Sequence, residues 1–219
     1  METLRISSLL SAGETRTRTP LAPVSLRVGF DLDGVWHDFA ASLRTFLVTY
    51  HADRPFGDGT YPEPTNWDFW KDWGMTLNEF LQACHEGVDA GIVFNHDPHP
   101  GTREVFDAIH AAGHTIHIAT DRPFGTNGAS ETLTRSWLDR HKLHFDSLTF
   151  TADKTVVKAD IFIEDKPENY VSLAKAGTEV WLVDRPWNAY FIASRRLRDI
   201  REFPDKVSRL SERCYATLS

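Results

Sequence analysis

Two cysteines in 219 residues, Cys84 and Cys214, cannot build a disulfide framework, and their scarcity fits a reducing compartment, the cytoplasm. No apolar run approaches the ~18 residues that a membrane span needs. Basic residues are outnumbered, 24 Lys and Arg against 31 Asp and Glu for a net charge of −7, so nothing marks a basic face for polymeric nucleic acid. A glycine-rich phosphate loop is missing, as is any internal repeat. The pairs His96/His99, His114/His117 and His141/His144 lack the Cys/His setting of a zinc site and read as surface or loop residues. What remains is ordinary globular usage, 41% hydrophobic and 25% charged, with room for one α/β core and a modest insertion.

Residues 1–25 differ from the rest. Ser, Thr, Arg and Pro dominate, Thr15-Arg-Thr-Arg-Thr-Pro20 has no apolar period, and Leu9-Leu10 is too short an apolar centre for a signal peptide. Its arginines and hydroxyls allow an organelle-targeting peptide, but the segment is expected to be a disordered leader.

Beyond it, residues 26–34 read Leu-Arg-Val-Gly-Phe-Asp-Leu-Asp-Gly. A strand here delivers Asp31 and Asp33 at its C-terminal end, starting toward one side, and Gly34 lets the chain turn away. Carboxylates that close repel unless a cation intervenes, and Mg²⁺, a hard cation with oxygen ligands, is the natural candidate. Alone, the segment is equally an acidic strand-end turn. Three further segments change that balance. Thr115–Ala119 reads as a strand running into Thr120, Asp121 and Arg122. Lys154 stands in Ala152-Asp-Lys-Thr-Val-Val157. Asp160-Ile-Phe-Ile163 reads as a buried strand ending in Glu164-Asp165. Each has a bland counterpart: a helix-capping hydroxyl, a solvated lysine, an acidic turn before Pro167. Ligands of an open parallel sheet bind at the carboxyl ends of its strands, so together these segments place a nucleophile, an acid, a hydroxyl and a cation at one edge. That set suits phosphoryl transfer through an aspartyl-phosphate.

In this order, Asp31-Leu-Asp-Gly-Val35, a strand-end Thr120, Lys154 and Glu164-Asp165 resemble the haloacid dehalogenase-like superfamily of phosphohydrolases. Asp38-Phe39, Asp68-Phe-Trp70, Pro98-His-Pro-Gly101 and Asp153-Lys-Thr-Val-Val157 bring the resemblance closer to the 5'(3')-deoxyribonucleotidases, over about residues 26–190. The resemblance implies Asp31 as nucleophile and Asp33 as general acid and base. It implies Thr120 and Lys154 as phosphate-holding groups, with Mg²⁺ bound by Asp31, Asp165 and the backbone carbonyl of Asp33. Glu164 stands where the family often has aspartate, leaving it to ligate differently or through water. Lys158 is a second candidate for the phosphate lysine, but Lys154 has the matching setting. Arg122 contacts phosphate or caps its loop. Phe39, Trp70 and Phe94 sit where family aromatics wall the base pocket, although large side chains also build cap cores. A homodimer is allowed by the resemblance.

The expected fold is α/β: a doubly wound, Rossmann-like parallel sheet with a small helical cap inserted after the first strand. The expected division is a core of residues 26–38 and 95–190, a cap of residues 39–94, and a helical C-terminal segment, residues 191–219, with the tail helical from Tyr190. The favoured activity is Mg²⁺-dependent hydrolysis of nucleoside, preferentially deoxynucleoside, 5'-monophosphates. The alternatives are hydrolysis of a sugar phosphate or other small metabolite, and a non-catalytic binding protein on the same fold.

Overall fold

The computed structural model describes residues 24–218; the expected leader lies outside them, apart from its last two residues. Six parallel strands form one sheet in the order β3-β2-β1-β4-β5-β6. They are β1 (Arg27–Phe30), β2 (Thr115–Thr120), β3 (Ser147–Phe150), β4 (Ile161–Glu164), β5 (Glu179–Val183) and β6 (Arg196–Leu197). The helices are α1 (Phe39–Tyr50), α2 (Leu77–Asp89), α3 (Thr102–Ala111), α4 (Ala129–Arg140), α5 (Pro167–Lys175) and α6 (Phe203–Leu218).

The order reverses at β1, which pairs with β2 on one side and β4 on the other, and this is where a doubly wound sheet opens a crevice at its strand ends. Apolar residues bury both faces of these strands. Val28, Phe30, Ile118 and Ile163 share one core with Val105 and Phe106 of α3 and Phe203 and Val207 of α6. Ala119, Phe162, Val180 and Leu182 share another with Leu173 of α5. Gly29 is required inside β1 because a Cβ there would lie 2.1 Å from the Phe162 ring.

The insertion between β1 and α3 has a core of its own. Leu43 and Leu47 of α1 meet Phe80, Cys84 and Val88 of α2, closed by Trp73 and Met75. Asp38 caps α1 through the Ala41 amide, and Thr76 and Glu79 form a capping box on α2.

One expectation is corrected. The chain is not helical from Tyr190: it first runs as a loop, forms β6 and a 3₁₀ turn, and only then enters α6. The amide of Leu182 donates to the Arg195 carbonyl and that of Asp184 to the Leu197 carbonyl, so these residues satisfy β5's outer edge. Two residues with one buried side chain are too few to print an alternating pattern. No helix among the described residues is long and apolar enough to cross a membrane.

Candidate active site

The carboxyl ends of β1, β2 and β4 converge. Asp31 follows β1 directly and is buried; Lys154, buried on the 3₁₀ turn after β3, donates from Nζ to Asp31 Oδ1 at 2.8 Å and to the Ala119 carbonyl at 2.8 Å. Burial alone would lower the lysine pKa, but Asp31 and Glu164 outweigh it and raise it, so the ammonium keeps its charge. Lys158, the other candidate, is exposed, and its Nζ donates to the Thr155 carbonyl.

Thr120, at the end of β2, is fully buried, and its Oγ1 has no hydrogen-bond partner. A buried hydroxyl left unpaired is costly, which marks a place where a ligand atom completes the bonding. Glu164 and Asp165 are buried beside Asp31. One oxygen from each of the three lies within 4.8 Å of the others, and Glu164 Oε2 and Asp165 Oδ1 have no partner. Burial, then the charge of Asp31, pushes Asp165 up to about 7 and raises Glu164 well above the carboxylate range. Three buried carboxylates with unpartnered oxygens fit a divalent cation, which would relieve both burdens. Gly34 makes room for this cluster: at φ +76°, a Cβ there would stand 2.1 Å from Asp165 Oδ2.

Asp33 is placed differently from Asp31. Arg122 forks onto it, Nε to Oδ2 and Nη2 to Oδ1, both at 2.8 Å, and His37 Nδ1 lies 2.8 Å from Oδ1. Burial raises the Asp33 pKa, but Arg122 and His37 more than offset it and hold the carboxyl well below its ordinary range. Arg122, a candidate either for phosphate or for capping its loop, is wholly buried, and its remaining arm donates to Thr134 Oγ1 at 2.9 Å. Its guanidinium also lies 4.1 Å from the centroid of Phe94, a residue at φ +70°, which a phenylalanine rarely adopts.

Asp31, Asp33, Lys154 and Asp165 open into a cavity of ≈ 620 Å³ whose other wall is aromatic. Phe39, Trp70 and Phe94 line it, together with Trp67, Phe69, Phe80 and Phe124. Phe39 is stacked with Phe124 at 6.2 Å and Trp70 with Phe80 at 4.5 Å.

Sequence reasoning missed several groups. Phe124 stands four residues past Thr120, within the same strand-end loop. His37 stands four residues past Asp33, in the turn that follows β1. His99 faces the cavity, and burial, helped by Arg185, lowers its pKa to about 4. Arg185, Trp187 and Asn188 arrive from the loop after β5. Its strand-end position was the available signal, since Asp184-Arg-Pro-Trp187 occupies the same edge as the four motif segments.

A six-stranded parallel sheet with helices on both faces and acids at its central strand ends defines a haloacid dehalogenase-like α/β hydrolase fold. A haloacid dehalogenase-like family hydrolase of Streptococcus pneumoniae has that fold with a TM-score of 0.58 and 12% identity, over 84% of this chain and 98% of the other. The chain belongs to the 5' nucleotidase, deoxy (pyrimidine), cytosolic type C protein family, whose model matches residues 24–211. It is similar to the "Putative 5'(3')-deoxyribonucleotidase" of Chlorobaculum tepidum, 32% identical over 163 residues, 73% of this chain and 79% of that one. The "Putative nucleotidase" of Halalkalibacterium halodurans is 28% identical over 171 residues, 74% of this chain and 81% of that one. The chain is a phosphoric monoester hydrolase.

Proposed function

We propose that the protein hydrolyses nucleoside 5'-monophosphates, deoxy forms favoured, through an aspartyl-phosphate on Asp31 and with Mg²⁺ as cofactor. One observation carries this reading: the cavity that receives Asp31, Lys154 and Asp165 is also lined by the rings of Phe39, Trp67, Phe69, Trp70, Phe80, Phe94 and Phe124. A phosphate at the polar end leaves a flat, apolar slot for a base, and a base gains roughly 1–3 kcal/mol per stacked ring.

Asp31 supplies the attacking oxygen. As the Asp31–phosphorus bond forms, the ester P–O bond breaks, and the alkoxide leaves with a proton from Asp33. Asp33 then takes a proton from the water that attacks phosphorus, which cleaves the aspartyl-phosphate, frees inorganic phosphate and restores Asp31. In the arrangement described above Asp33 is held ionised, ready for the second step. It serves the first after turning from Arg122 and taking up a proton. Lys154 and Thr120 hold the phosphoryl oxygens and offset their charge in the transition state. Asp31, Asp165, Glu164 and the Asp33 backbone carbonyl would hold the cation, whose chemistry is to offset charge on the phosphoryl group. The aromatic wall excludes water and orients the base.

Phosphate release from a panel of nucleoside monophosphates and sugar phosphates with Mg²⁺ tests the reading. Deoxynucleoside 5'-monophosphates should give the highest kcat/KM. A sugar phosphate leading the panel would replace this substrate assignment.

A further inference from the structure

The three clustered carboxylates share a pattern. Each has one oxygen engaged by a donor of the protein and one left over. Lys154 Nζ occupies Asp31 Oδ1, and Oδ2 accepts no hydrogen bond among the described residues. The amides of Asp165 and Lys166 donate to Glu164 Oε1 at 3.2 and 3.1 Å, leaving Oε2 unpartnered. The indole Nε1 of Trp187 donates to Asp165 Oδ2 at 2.8 Å, leaving Oδ1 unpartnered.

The last of these donors comes from outside the four motif segments. The loop after β5 reaches across the strand ends and joins two of them. Arg185 donates to the carbonyls of Gly34 and Val35, behind the Asp31–Asp33 turn. The Asn188 amide donates to the Asp165 carbonyl at 2.7 Å and to the Val183 carbonyl at 2.8 Å. Trp187 lies between these anchors, half-buried at the cavity wall, with its ring carbon Cζ2 3.2 Å from where a Gly34 Cβ would be.

We infer that Trp187 is a positioning residue that makes Asp165 a one-oxygen ligand and thereby biases the site toward Mg²⁺ over Ca²⁺. This rests on the metal reading of the preceding section. Mg²⁺ takes six oxygens at ~2.0–2.1 Å and is served by carboxylates offering single atoms, whereas Ca²⁺ takes 6–8 at ~2.3–2.6 Å and readily uses a carboxylate through both oxygens. An indole N–H on Oδ2 withholds the second oxygen and fixes the plane of the first. Groups that orient a metal ligand in this way typically contribute about 10–100-fold to metal affinity.

Calorimetric titration of the full chain with Mg²⁺ and, separately, with Ca²⁺ reads this without turnover. Trp187→Phe keeps an apolar ring and removes the N–H. Mg²⁺ should bind it about 10–100-fold more weakly, while Ca²⁺ binds as tightly as to the wild type or tighter. Unchanged affinities for both ions overturn the assignment, and so does equal weakening of both, which is the signature of general damage to the loop. A wild-type protein that binds no Mg²⁺ overturns the metal reading itself, a distinguishable result. A second measurement needs no variant: of the seven tryptophan indole N–H signals in a ¹⁵N-labelled sample, at least one should shift on Mg²⁺ addition. If none shifts, Trp187 does not sense the ion and the inference fails.

Discussion

Mg²⁺ affinity should depend on pH in a way that the carboxylate cluster sets. Without a cation, burial and the charge of Asp31 push Asp165 up to about 7 and raise Glu164 in the same direction. A carboxylic acid ligates only after losing its proton, so binding at acid pH must displace one. For Asp165 alone, the apparent Kd is raised about twofold at pH 7 and about a hundredfold at pH 5, relative to pH 9. Glu164 steepens the dependence. The sign follows from linkage: an acid whose folded pKa is raised binds its proton more tightly when native, so its contribution to stability falls as pH rises from ~4 toward 7. A cation that occupies the cluster removes that loss. His37 and His99, both lowered by burial, act in the opposite sense, His99 between about pH 4 and 6.5. At a fixed excess, Mg²⁺ should stabilise the fold by about 2–3 kcal/mol less at pH 5 than at pH 8. Titration calorimetry at pH 5, 6, 7 and 8, in two buffers of different ionisation enthalpy, gives both affinity and proton release. A Kd constant from pH 5 to 8, or binding at pH 6 with no proton released, would refute the reasoning.

Three further outcomes are expected. Asp31→Asn should lower turnover by orders of magnitude with the circular dichroism spectrum unchanged, and near-normal phosphate release by that variant would rule out the aspartyl-phosphate. Lys154→Met keeps the stem but leaves the Asp31 carboxylate and the Ala119 carbonyl without their donor, which should cost about 2–4 kcal/mol at neutral pH and lower Tm by roughly 5–15 °C; a Tm within about 2 °C of wild type would mean that water replaces the ammonium at little cost. Phe39→Ala or Phe124→Ala should raise KM for nucleotides roughly five- to a hundredfold and change hydrolysis of a small aryl phosphate far less. Equal damage to both substrates would identify these rings as cap core instead.

The strand-end residues were legible because their cause is local. Asp31, Thr120 and Glu164 each end or directly follow a run of apolar residues short enough to be a strand, and parallel topology does the rest: β1 lies between β2 and β4, so three ends separated by about 90 and 45 residues become neighbours. Phe39, Trp70 and Phe94 could be placed near the substrate only by resemblance. Nothing in the spacing of an aromatic-rich insertion separates a ring that faces a cavity from one that fills a core, and here Trp73 is wholly buried while Trp70, three residues earlier, lines the cavity. Edge strand β6 was illegible because its cause is distant: it exists to pair with β5.

Arg122 shows why a motif neighbour's role needs the third dimension. Its position two residues past Thr120 made phosphate contact a fair expectation, since both stand on one strand-end loop. The strand pairing between β1 and β2 instead sets the Arg122 guanidinium opposite Asp33, and α4 closes over it with Thr134. A guanidinium with all its arms engaged has no fork left for phosphate. Its positive charge acts on the carboxylate it touches, which stays ionised despite burial. On the proposed reading, phosphate binding falls to Lys154 and Thr120, one charged and one neutral, both buried. On the same reading, Asp33 carries a proton only when the Arg122 fork opens, and Phe94, which lines the cavity, packs on that same guanidinium.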